Sequence, residues 1–189
     1  DTWKSRGLGD VYKRQEKYTR AAKGGVGFAK AAGNYAASFY PTKMANSKGF
    51  QQVIWTDSSK HQFIEECGTM NIWFRVGDKL ITPSISDTIL SGITRDSIIT
   101  LARDLHIEVE EKEISIIELL NAYNSGTLLE VFGTGTAVAV SPVRSITYRD
   151  NLMSFDSSID SFALALKEKL QNIQRGEEID KYGWTSKVV

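Results

Sequence analysis

Lys30 lies in the segment 27–35, in which five of the nine residues are glycine or alanine. Small neighbours let the backbone and the lysine amine approach a flat ligand closely. Further along the chain, the segment 65–71 is predicted to form an acidic turn that supplies a carboxylate, which can face the same ligand from behind. A fold that uses both segments must therefore bring them together around one planar molecule.

Composition limits the size of the domain and its partners. The chain has 189 residues, 41% apolar and 24% charged, as expected for one soluble globular domain with a substantial core. Its 23 basic residues balance its 23 acidic ones, so the net charge offers no long-range attraction for nucleic acid or an anionic membrane. We therefore expect no nucleic-acid or membrane partner, and an anionic ligand must be held by local contacts.

The single cysteine, Cys67, excludes an internal disulfide and fits a reducing compartment. No apolar run is long enough for a membrane span, and no secretory signal is recognisable. These features predict a soluble intracellular protein. The cytoplasm is the expected location, and the mitochondrion and the plastid are the alternatives.

Residues 1–15 are predicted to lie outside the folded domain. They carry no helical or alternating apolar pattern, and 7–15 resembles a cloning or assembly scar. We therefore expect a non-native leader over 1–15 and one ligand-binding domain over 16–189.

Apolar periodicity predicts a mixed α+β domain without internal repeats. Helices are predicted over 34–48, with a kink or late start at Pro41, and over 96–105, 116–123 and 161–175. Strands are predicted over 52–56, 70–76, 79–82, 107–110, 128–132 and 137–140. Gly77 and Asp78 should close a hairpin, and 133–136 should form a turn.

The residue types in these segments indicate pyridoxal phosphate chemistry. The amine of Lys30 can hold the cofactor aldehyde as a Schiff base and then move a proton between substrate carbons. Glu66 is the candidate partner of the pyridine nitrogen, because a carboxylate there keeps the ring protonated. Tyr35 can donate to the phenolic oxygen of the cofactor.

A phosphate group is predicted to bind where the glycine turn 92–96 opens into a helix. The free amides and the positive end of the helix dipole favour an anion there, with the amides of Ile93 and Thr94 as donors. The segment 133–137 offers a hydroxyl and further amides, for the phosphate or for a substrate carboxylate.

Each motif also has a purely structural interpretation when it is considered alone. Lys30 can be a surface lysine, Glu65 and Glu66 a solvated pair, and the turn 92–96 a helix start capped by Thr94 or Asp96. The glycines of 133–137 can form a simple bulge. His61, His106 and Cys67 are too isolated to predict a metal site or a nucleophile, and core or interface positions are expected for Trp55, Trp73 and Trp184.

Taken together, the motifs resemble the C-terminal, cofactor-binding half of branched-chain amino-acid aminotransferases, which are fold-type-IV pyridoxal-phosphate enzymes. The resemblance covers about 18–189 and rests on segments that occur in the order of that family. They are Gly-Gly-Val-Gly-Phe-Ala-Lys-Ala-Ala-Gly-Asn-Tyr, Glu-Glu-Cys-Gly-Thr-Met-Asn, Leu-Ser-Gly-Ile-Thr-Arg-Asp, Glu-Val-Phe-Gly-Thr-Gly-Thr-Ala, and the closing Ile-Gln-Arg-Gly and Tyr-Gly-Trp.

The resemblance implies a fold-type-IV large domain, with mixed and antiparallel sheets in a barrel-like arrangement surrounded by helices, and a homodimer. It implies transfer of the amino group of leucine, isoleucine or valine to 2-oxoglutarate. It also assigns roles to individual residues. Lys30 binds the cofactor covalently, Tyr35 and Glu66 contact its ring, Ile93, Thr94 and Thr136 hold its phosphate, and Thr69, Met70, Thr136 and Ala137 line the substrate end.

The chain departs from the family pattern in two places. The smaller N-terminal domain is absent from 16–189, and with it a phosphate-binding arginine and much of the side-chain pocket. The segment 138–141 also lacks the Cys-x-x-Cys pair of some animal members. Two alternatives therefore stay open: a related fold-type-IV enzyme, such as a D-amino-acid aminotransferase or aminodeoxychorismate lyase, or an inactive fragment that only binds cofactor or partner subunits.

Overall fold

The computed structural model describes the backbone of 8–13 and residues 18–149, 151–156 and 160–186. Within these ranges the chain alternates between strands and helices. The strands are β1 (Leu8–Lys13), β2 (Gln52–Thr56), β3 (Ile64–Cys67), β4 (Met70–Val76), β5 (Lys79–Thr82), β6 (Glu108–Glu111), β7 (Leu128–Gly135), β8 (Ala139–Tyr148) and β9 (Asn151–Ser154). The helices are α1 (Ala32–Asn46), α2 (Ile93–Asp104), α3 (Ile116–Asn124) and α4 (Phe162–Arg175).

The strands form one curled sheet in the order β3-β2-β1-β8-β7-β4-β5-β6, with β9 added to β8. Because β3 also pairs with β4, the path from β3 round to β4 returns to its start and closes a barrel-like ring. Most pairings are antiparallel, whereas β1 runs parallel to β2 and β8, and β5 runs parallel to β6. The predicted α+β class with mixed sheets is confirmed.

Strand β4 divides the core, because alternate side chains of a strand point to opposite faces. Ile72 and Phe74 pack with the apolar residues of α3 and its neighbouring strands. Trp73 points to the opposite face, where it stacks on Phe132 of β7 at 5.7 Å and packs with residues of α2 and α4. Both faces of the sheet are therefore covered by helices, and β4 lies between them.

Three predicted strands begin and end at the predicted residues. The strands 52–56, 70–76 and 79–82 are β2, β4 and β5, and Gly77 and Asp78 join the last two. Helix α1 begins two residues earlier than predicted and continues through Pro41, and α2 begins at Ile93 instead of Asp96. Trp55 and Trp73 are buried as expected, whereas Trp184 is partly exposed and stacks on Tyr182.

Three predictions were wrong. Residues 1–15 do contribute an element, because β1 pairs with β2 and β8, although the non-native origin of this segment stays a prediction. The first half of the segment 65–71 is strand β3, which strand composition did not reveal because two glutamates occupy it. The turn expected at 133–136 comes later, since Gly133–Gly135 belong to β7 and the turn spans 136–138.

Candidate active site

Lys30 lies at the end of an irregular segment that leads into α1. Asn34, in the first turn of α1, fixes this segment by donating from Nδ2 to the carbonyl oxygens of Val26 and Ala29, each over 2.9 Å. Gly27 allows a close approach to the loop that precedes α2: a Cβ atom there would lie 2.6 Å from Thr88 Cα. The side chain of Lys30 is exposed while the backbone that carries it is held from two sides.

Glu66 lies on β3 and is 3% exposed. Its Oε1 accepts a hydrogen bond from the amide of Leu90 over 2.7 Å, and its Oε2 lies 3.4 Å from Nε of Arg20. Burial raises the pKa of Glu66, whereas Arg20 and the Leu90 amide lower it. The sequence predicted Glu66, but it gave no signal for Arg20, which stands in a segment without a recognisable pattern.

The β3–β4 connection is a tight turn at Gly68 and Thr69. Gly68 has a φ of +58°, and a Cβ atom there would lie 2.2 Å from the side chain of Gln52. Its carbonyl oxygen accepts from Nε1 of Trp55 over 3.0 Å, which anchors the turn to β2. Thr69 is consequently exposed at the tip, and Met70 starts the next strand.

The N-terminus of α2 faces the same space. Gly92 is the N-cap residue and supplies no side-chain cap, so neither Thr94 nor Asp96 takes the capping role considered above. A Cβ atom on Gly92 would lie 2.2 Å from Oδ1 of Asn71, whose Nδ2 donates to the carbonyl oxygen of Leu90 over 2.8 Å. The first amides of α2 are thus left for an external acceptor, as in anion sites at helix N-termini.

The turn between β7 and β8 forms a third wall. Thr136, Ala137 and Val138 are exposed there, and the amide of Val138 donates to the carbonyl oxygen of Gly135 over 3.3 Å. Thr134, inside β7, accepts a hydrogen bond from Nε1 of Trp73 over 3.0 Å and is buried. The buried strand therefore supports an exposed turn that carries the hydroxyl of Thr136 and the backbone amides of Thr136 and Ala137.

Three adjoining cavities meet at Lys30 and Thr69, which line all of them. One contains Arg20, Tyr35, Glu66 and Leu90 in its walls. The second, of about 300 Å³, is lined by Met70 and the turn 136–138, and the third, of about 310 Å³, by Gly92, Ile93 and Thr94 together with Thr136. All the sequence-predicted site residues therefore lie around one point: Lys30, Tyr35, Glu66, Thr69, Met70, Ile93, Thr94, Thr136 and Ala137.

The neighbouring residues of β3 are not the solvated pair considered above. Glu65 is 7% exposed and points away from Glu66, because successive residues of a strand face opposite sides. It accepts a hydrogen bond from the Thr88 hydroxyl over 2.6 Å.

Cys67 is fully buried, and burial raises the pKa of its thiol to about 12, which leaves it unreactive at neutral pH. No helix in the described residues is long and apolar enough to cross a membrane.

Comparisons with known proteins agree with this geometry. A family model described as amino-transferase class IV matches residues 18–146. A relative from Staphylococcus epidermidis named "Probable branched-chain-amino-acid aminotransferase" is 47% identical over 175 residues, covering 92% of this chain and 49% of the relative. The chain thus spans about half the length of the curated relatives it matches.

Solved structures give the same result. The branched-chain amino acid aminotransferase from Escherichia coli superposes with a TM-score of 0.78 at 31% identity, covering 95% of this chain and 56% of that one. The T.th. enzyme of the same name, complexed with N-(5'-phosphopyridoxyl)-L-glutamate, superposes with a TM-score of 0.77 at 27% identity, with coverages of 95% and 56%. These matches confirm the expected fold-type-IV architecture, and the chain belongs to the class IV aminotransferase family, within its branched-chain group.

Proposed function

We propose that this chain forms the cofactor-binding part of a pyridoxal-phosphate-dependent enzyme that transfers the amino group of leucine, isoleucine or valine to 2-oxoglutarate. The products are branched-chain 2-oxo acids and glutamate. The observation that carries this proposal is the position of Lys30, where three cavities with chemically different walls adjoin. Each wall suits a different part of the cofactor and substrate.

The residues present fit the cofactor. At one end Glu66 is a buried carboxylate next to a cation, and a second donor can still approach it from the cavity. At the other end, α2 begins without a side-chain cap beside the hydroxyl of Thr136. A ring nitrogen and a phosphate group therefore find complementary partners at opposite ends, with Lys30 between them.

Each residue would act through its own polar atoms. Glu66 accepts the pyridine N–H, and Tyr35 donates its hydroxyl to the phenolic oxygen. The amides of Ile93 and Thr94 and the hydroxyl of Thr136 donate to the phosphate. The amine of Lys30 binds the cofactor aldehyde and, once released, carries the proton that leaves the α-carbon of the amino acid. When bound, pyridoxal phosphate supplies the carbonyl group that takes up the amino group and a ring that accepts the resulting electron pair.

The substrate end lies at the exposed turns. The amides of Thr136 and Ala137 are donors for the α-carboxylate, and Thr69 and Met70 border the same cavity from the β3–β4 turn. A glutamate adduct of the cofactor is named in the T.th. complex, which supports glutamate and 2-oxoglutarate as the second substrate pair here. We also propose a homodimer, as the resemblance to the family implies.

Covalent labelling tests the cofactor site directly. The purified chain is mixed with pyridoxal phosphate, freed of excess, reduced with borohydride and mapped by peptide mass spectrometry. We expect one pyridoxyl group, on Lys30, that is lost in Lys30→Ala and retained in Lys23→Ala, an exposed lysine of the same segment. Absent labelling, or labelling scattered over surface lysines, would show that the chain does not hold the cofactor as proposed.

A substrate panel tests the reaction. Leucine, isoleucine and valine should each convert the bound cofactor to its amino form, which is followed by the loss of the absorbance of the lysine-bound aldehyde. D-alanine should leave that absorbance unchanged. The opposite preference would assign the chain to the D-amino-acid branch of the fold.

A further inference from the structure

Three charged side chains form a buried cluster next to the candidate cavity, and they are unequal in sign. Glu65 and Glu66 are 7% and 3% exposed, and the side chain of Arg20 is 7% exposed. Arg20 pairs with Glu66 and also acts on Glu65 through its charge, in a region from which water is largely excluded. Such a cluster carries a net negative charge if all three groups are ionised, which is costly in a low-dielectric environment.

Thr88 links the members of this cluster. Its hydroxyl donates to Oε1 of Glu65 over 2.6 Å, and its carbonyl oxygen accepts from Nη2 of Arg20. Two residues further on, the amide of Leu90 donates to Glu66. The two carboxylates consequently bind the same short loop from opposite faces of β3, and Arg20 binds this loop as well.

The hydrogen bonding of the cluster is incomplete. Nε of Arg20 and Oε2 of Glu65 are two of three buried polar side-chain atoms without a hydrogen-bond partner in the described part of the chain. One belongs to a cation and the other to an anion. Buried groups in this state cost free energy unless a ligand or a change of protonation compensates them.

Glu65 can change its charge near neutral pH. Burial raises its pKa to about 7; Thr88 and Arg20 lower it, and Asp57 and Glu66 raise it further. A fourth cavity, separate from the three around Lys30, lies on the Glu65 side of β3. Its charged lining residues, besides Glu65 and Asp57, are Lys23, Lys60, Asp87 and Glu113.

We propose that Glu65 is a positioning residue that balances the charge of Arg20, so that Glu66 can pair with the ring nitrogen of the cofactor. The inference rests on the proposed function. With Glu65 ionised, the two carboxylates match two cations, Arg20 and the protonated ring. With Glu65 protonated, Glu66 is the only anion for both cations, and the ring is held less tightly.

This arrangement couples cofactor affinity to pH. Cofactor binding favours the ionised form of Glu65, so by linkage the ionised form favours cofactor binding. The affinity should therefore rise with pH through the range in which Glu65 loses its proton, and it should level off above that range. Glu65 does not line the three cavities around Lys30, whereas Glu66 lines one of them, which distinguishes the role of Glu65 from that of Glu66.

The test uses pyridoxamine 5'-phosphate, because it binds without forming a bond to Lys30. Its dissociation constant is measured by equilibrium dialysis across about pH 5.5 to 8.5 for the full chain and for Glu65→Gln. Titration of the phosphate affects both proteins equally, so the ratio of the two constants isolates Glu65. We expect near-equal affinities at the acid end and about tenfold weaker binding of Glu65→Gln at the alkaline end.

Further variants keep the test decisive if Glu65→Gln folds poorly. Thr88→Val removes the hydroxyl that stabilises the ionised carboxylate, so the pH midpoint of the affinity should shift upward. Glu65→Asp should restore part of the pH dependence. Glu113→Gln, an exposed carboxylate on the same cavity, should leave the profile unchanged.

Two outcomes separate this inference from the proposed function. Parallel pH profiles for the full chain and Glu65→Gln, with no shift in Thr88→Val, would overturn the role of Glu65 even if Lys30 is labelled by pyridoxal phosphate. Failure of Lys30 labelling would instead overturn the proposed function itself.

Discussion

In the part of the chain that the structure describes, two buried arginine–glutamate pairs are almost equally shielded from water but differ in how completely they are hydrogen-bonded. Arg75 and Glu130 have side-chain exposures of 8% and 5%, and Arg20 and Glu66 have 7% and 4%. The first pair is separated by 2.9 Å and the second by 3.4 Å. Burial alone therefore does not distinguish a purely structural pair from one that lines a candidate ligand cavity.

The pair on β4 and β7 is closed. Glu130 also accepts from the Ser161 hydroxyl over 2.6 Å and from the amide of Phe162 over 2.8 Å, at the N-terminus of α4. Arg75 also donates to the carbonyl oxygens of Gly77 and Asp160. Its guanidinium lies 3.7 Å from the centroid of the Phe162 ring, so protein groups surround both charges.

The pair beside Lys30 is open. Glu66 has one amide donor and a distant arginine, and Nε of Arg20 has no hydrogen-bond partner. The neighbouring helix α2 begins at Gly92 without a side-chain cap, in contrast to α4, which is capped by Ser161 and Glu130. The fold completes its polar contacts where it needs rigidity and leaves them incomplete where a ligand can supply the missing groups.

The largest expected effect is the loss of stability in Glu130→Ala. Removing this carboxylate leaves buried Arg75 with only the exposed carboxylate of Asp160 as a counter-charge and leaves amides of α4 without an acceptor, so the unfolding free energy should fall by about 3–5 kcal/mol. Glu66→Gln, in the open pair, should cost less than half as much because Arg20 keeps its hydrogen bond to the carbonyl oxygen of Thr88 and the nearby charge of Glu65. Urea unfolding followed by tryptophan fluorescence measures both. Equal losses would remove the distinction between the two pairs.

A smaller loss is expected when the support of the open pair is disturbed. In Gly27→Ala the new Cβ would lie 2.5 Å from Cβ of Ala21 and 2.6 Å from Cα of Thr88, so the loop that holds Arg20 must move. We expect a cost of about 2–3 kcal/mol and weaker labelling of Lys30 by pyridoxal phosphate.

Gly33→Ala is the matched control, because no atom lies within 4 Å of its added Cβ and the position is in α1. Alanine is the better helix former, so stability should be unchanged or rise by about 0.5–1 kcal/mol. A similar loss in both variants would show that close packing at Gly27 is not what positions Lys30.

The residues around the site could be predicted from the sequence better than the contacts that organise them. Lys30, Glu66, the α2 start and the β7–β8 turn belong to short motifs whose chemistry is local, and these motifs do converge in space. Arg20 could not be found in this way, because its partners come from β3 and from the loop before α2. Such pairings depend on tertiary packing and leave no mark in the surrounding sequence.

The same reasoning explains the errors in the fold. Strand composition identified β2, β4 and β5, which are rich in β-branched and aromatic residues. Strand β3 is buried along its whole length, but two of its four residues are glutamates, so it lacks strand composition. The closure of the sheet through β1, β3 and β4 is a long-range property of the chain. The burial of two consecutive glutamates can be explained only once the loop that donates hydrogen bonds to them is known.

The open region should also differ from the rest of the molecule in its pH response. The pKa of Glu65 is raised by burial from 4.5 to about 7, so the folded state binds a proton that the unfolded state releases between these values. Stability from this group is present below about pH 4.5 and is lost as the pH rises to about 7, by about 2 kcal/mol after allowance for partial solvent screening. Urea unfolding across this range should show the loss in the full chain and not in Glu65→Gln.

Asp57 gives the opposite dependence and serves as an internal reference. Burial raises its pKa, but hydrogen bonds from the amides of Phe63 and Lys60 outweigh this effect and hold the pKa at about 2. Its contribution to stability is therefore present above about pH 4 and disappears only as the pH falls towards 2.

The Glu65 prediction has a clear contrary outcome. If the stability of Glu65→Gln fell between pH 4.5 and 7 as in the full chain, a group other than Glu65 would be responsible.

The smallest expected effect comes from the uncapped helix. Millimolar inorganic phosphate should stabilise the full chain by about 0.5–1 kcal/mol relative to chloride at the same ionic strength, because an anion at α2 compensates free amides and the helix dipole. Thr136→Val should reduce this gain by removing a donor hydroxyl on the opposite wall.

Ser161→Val is the control, because it affects the capped helix α4. It should lower stability by about 1 kcal/mol by removing the α4 cap, while leaving the response to phosphate intact. A phosphate response lost in Ser161→Val and kept in Thr136→Val would place the anion at α4, and the assignment of open and closed regions would have to be reversed.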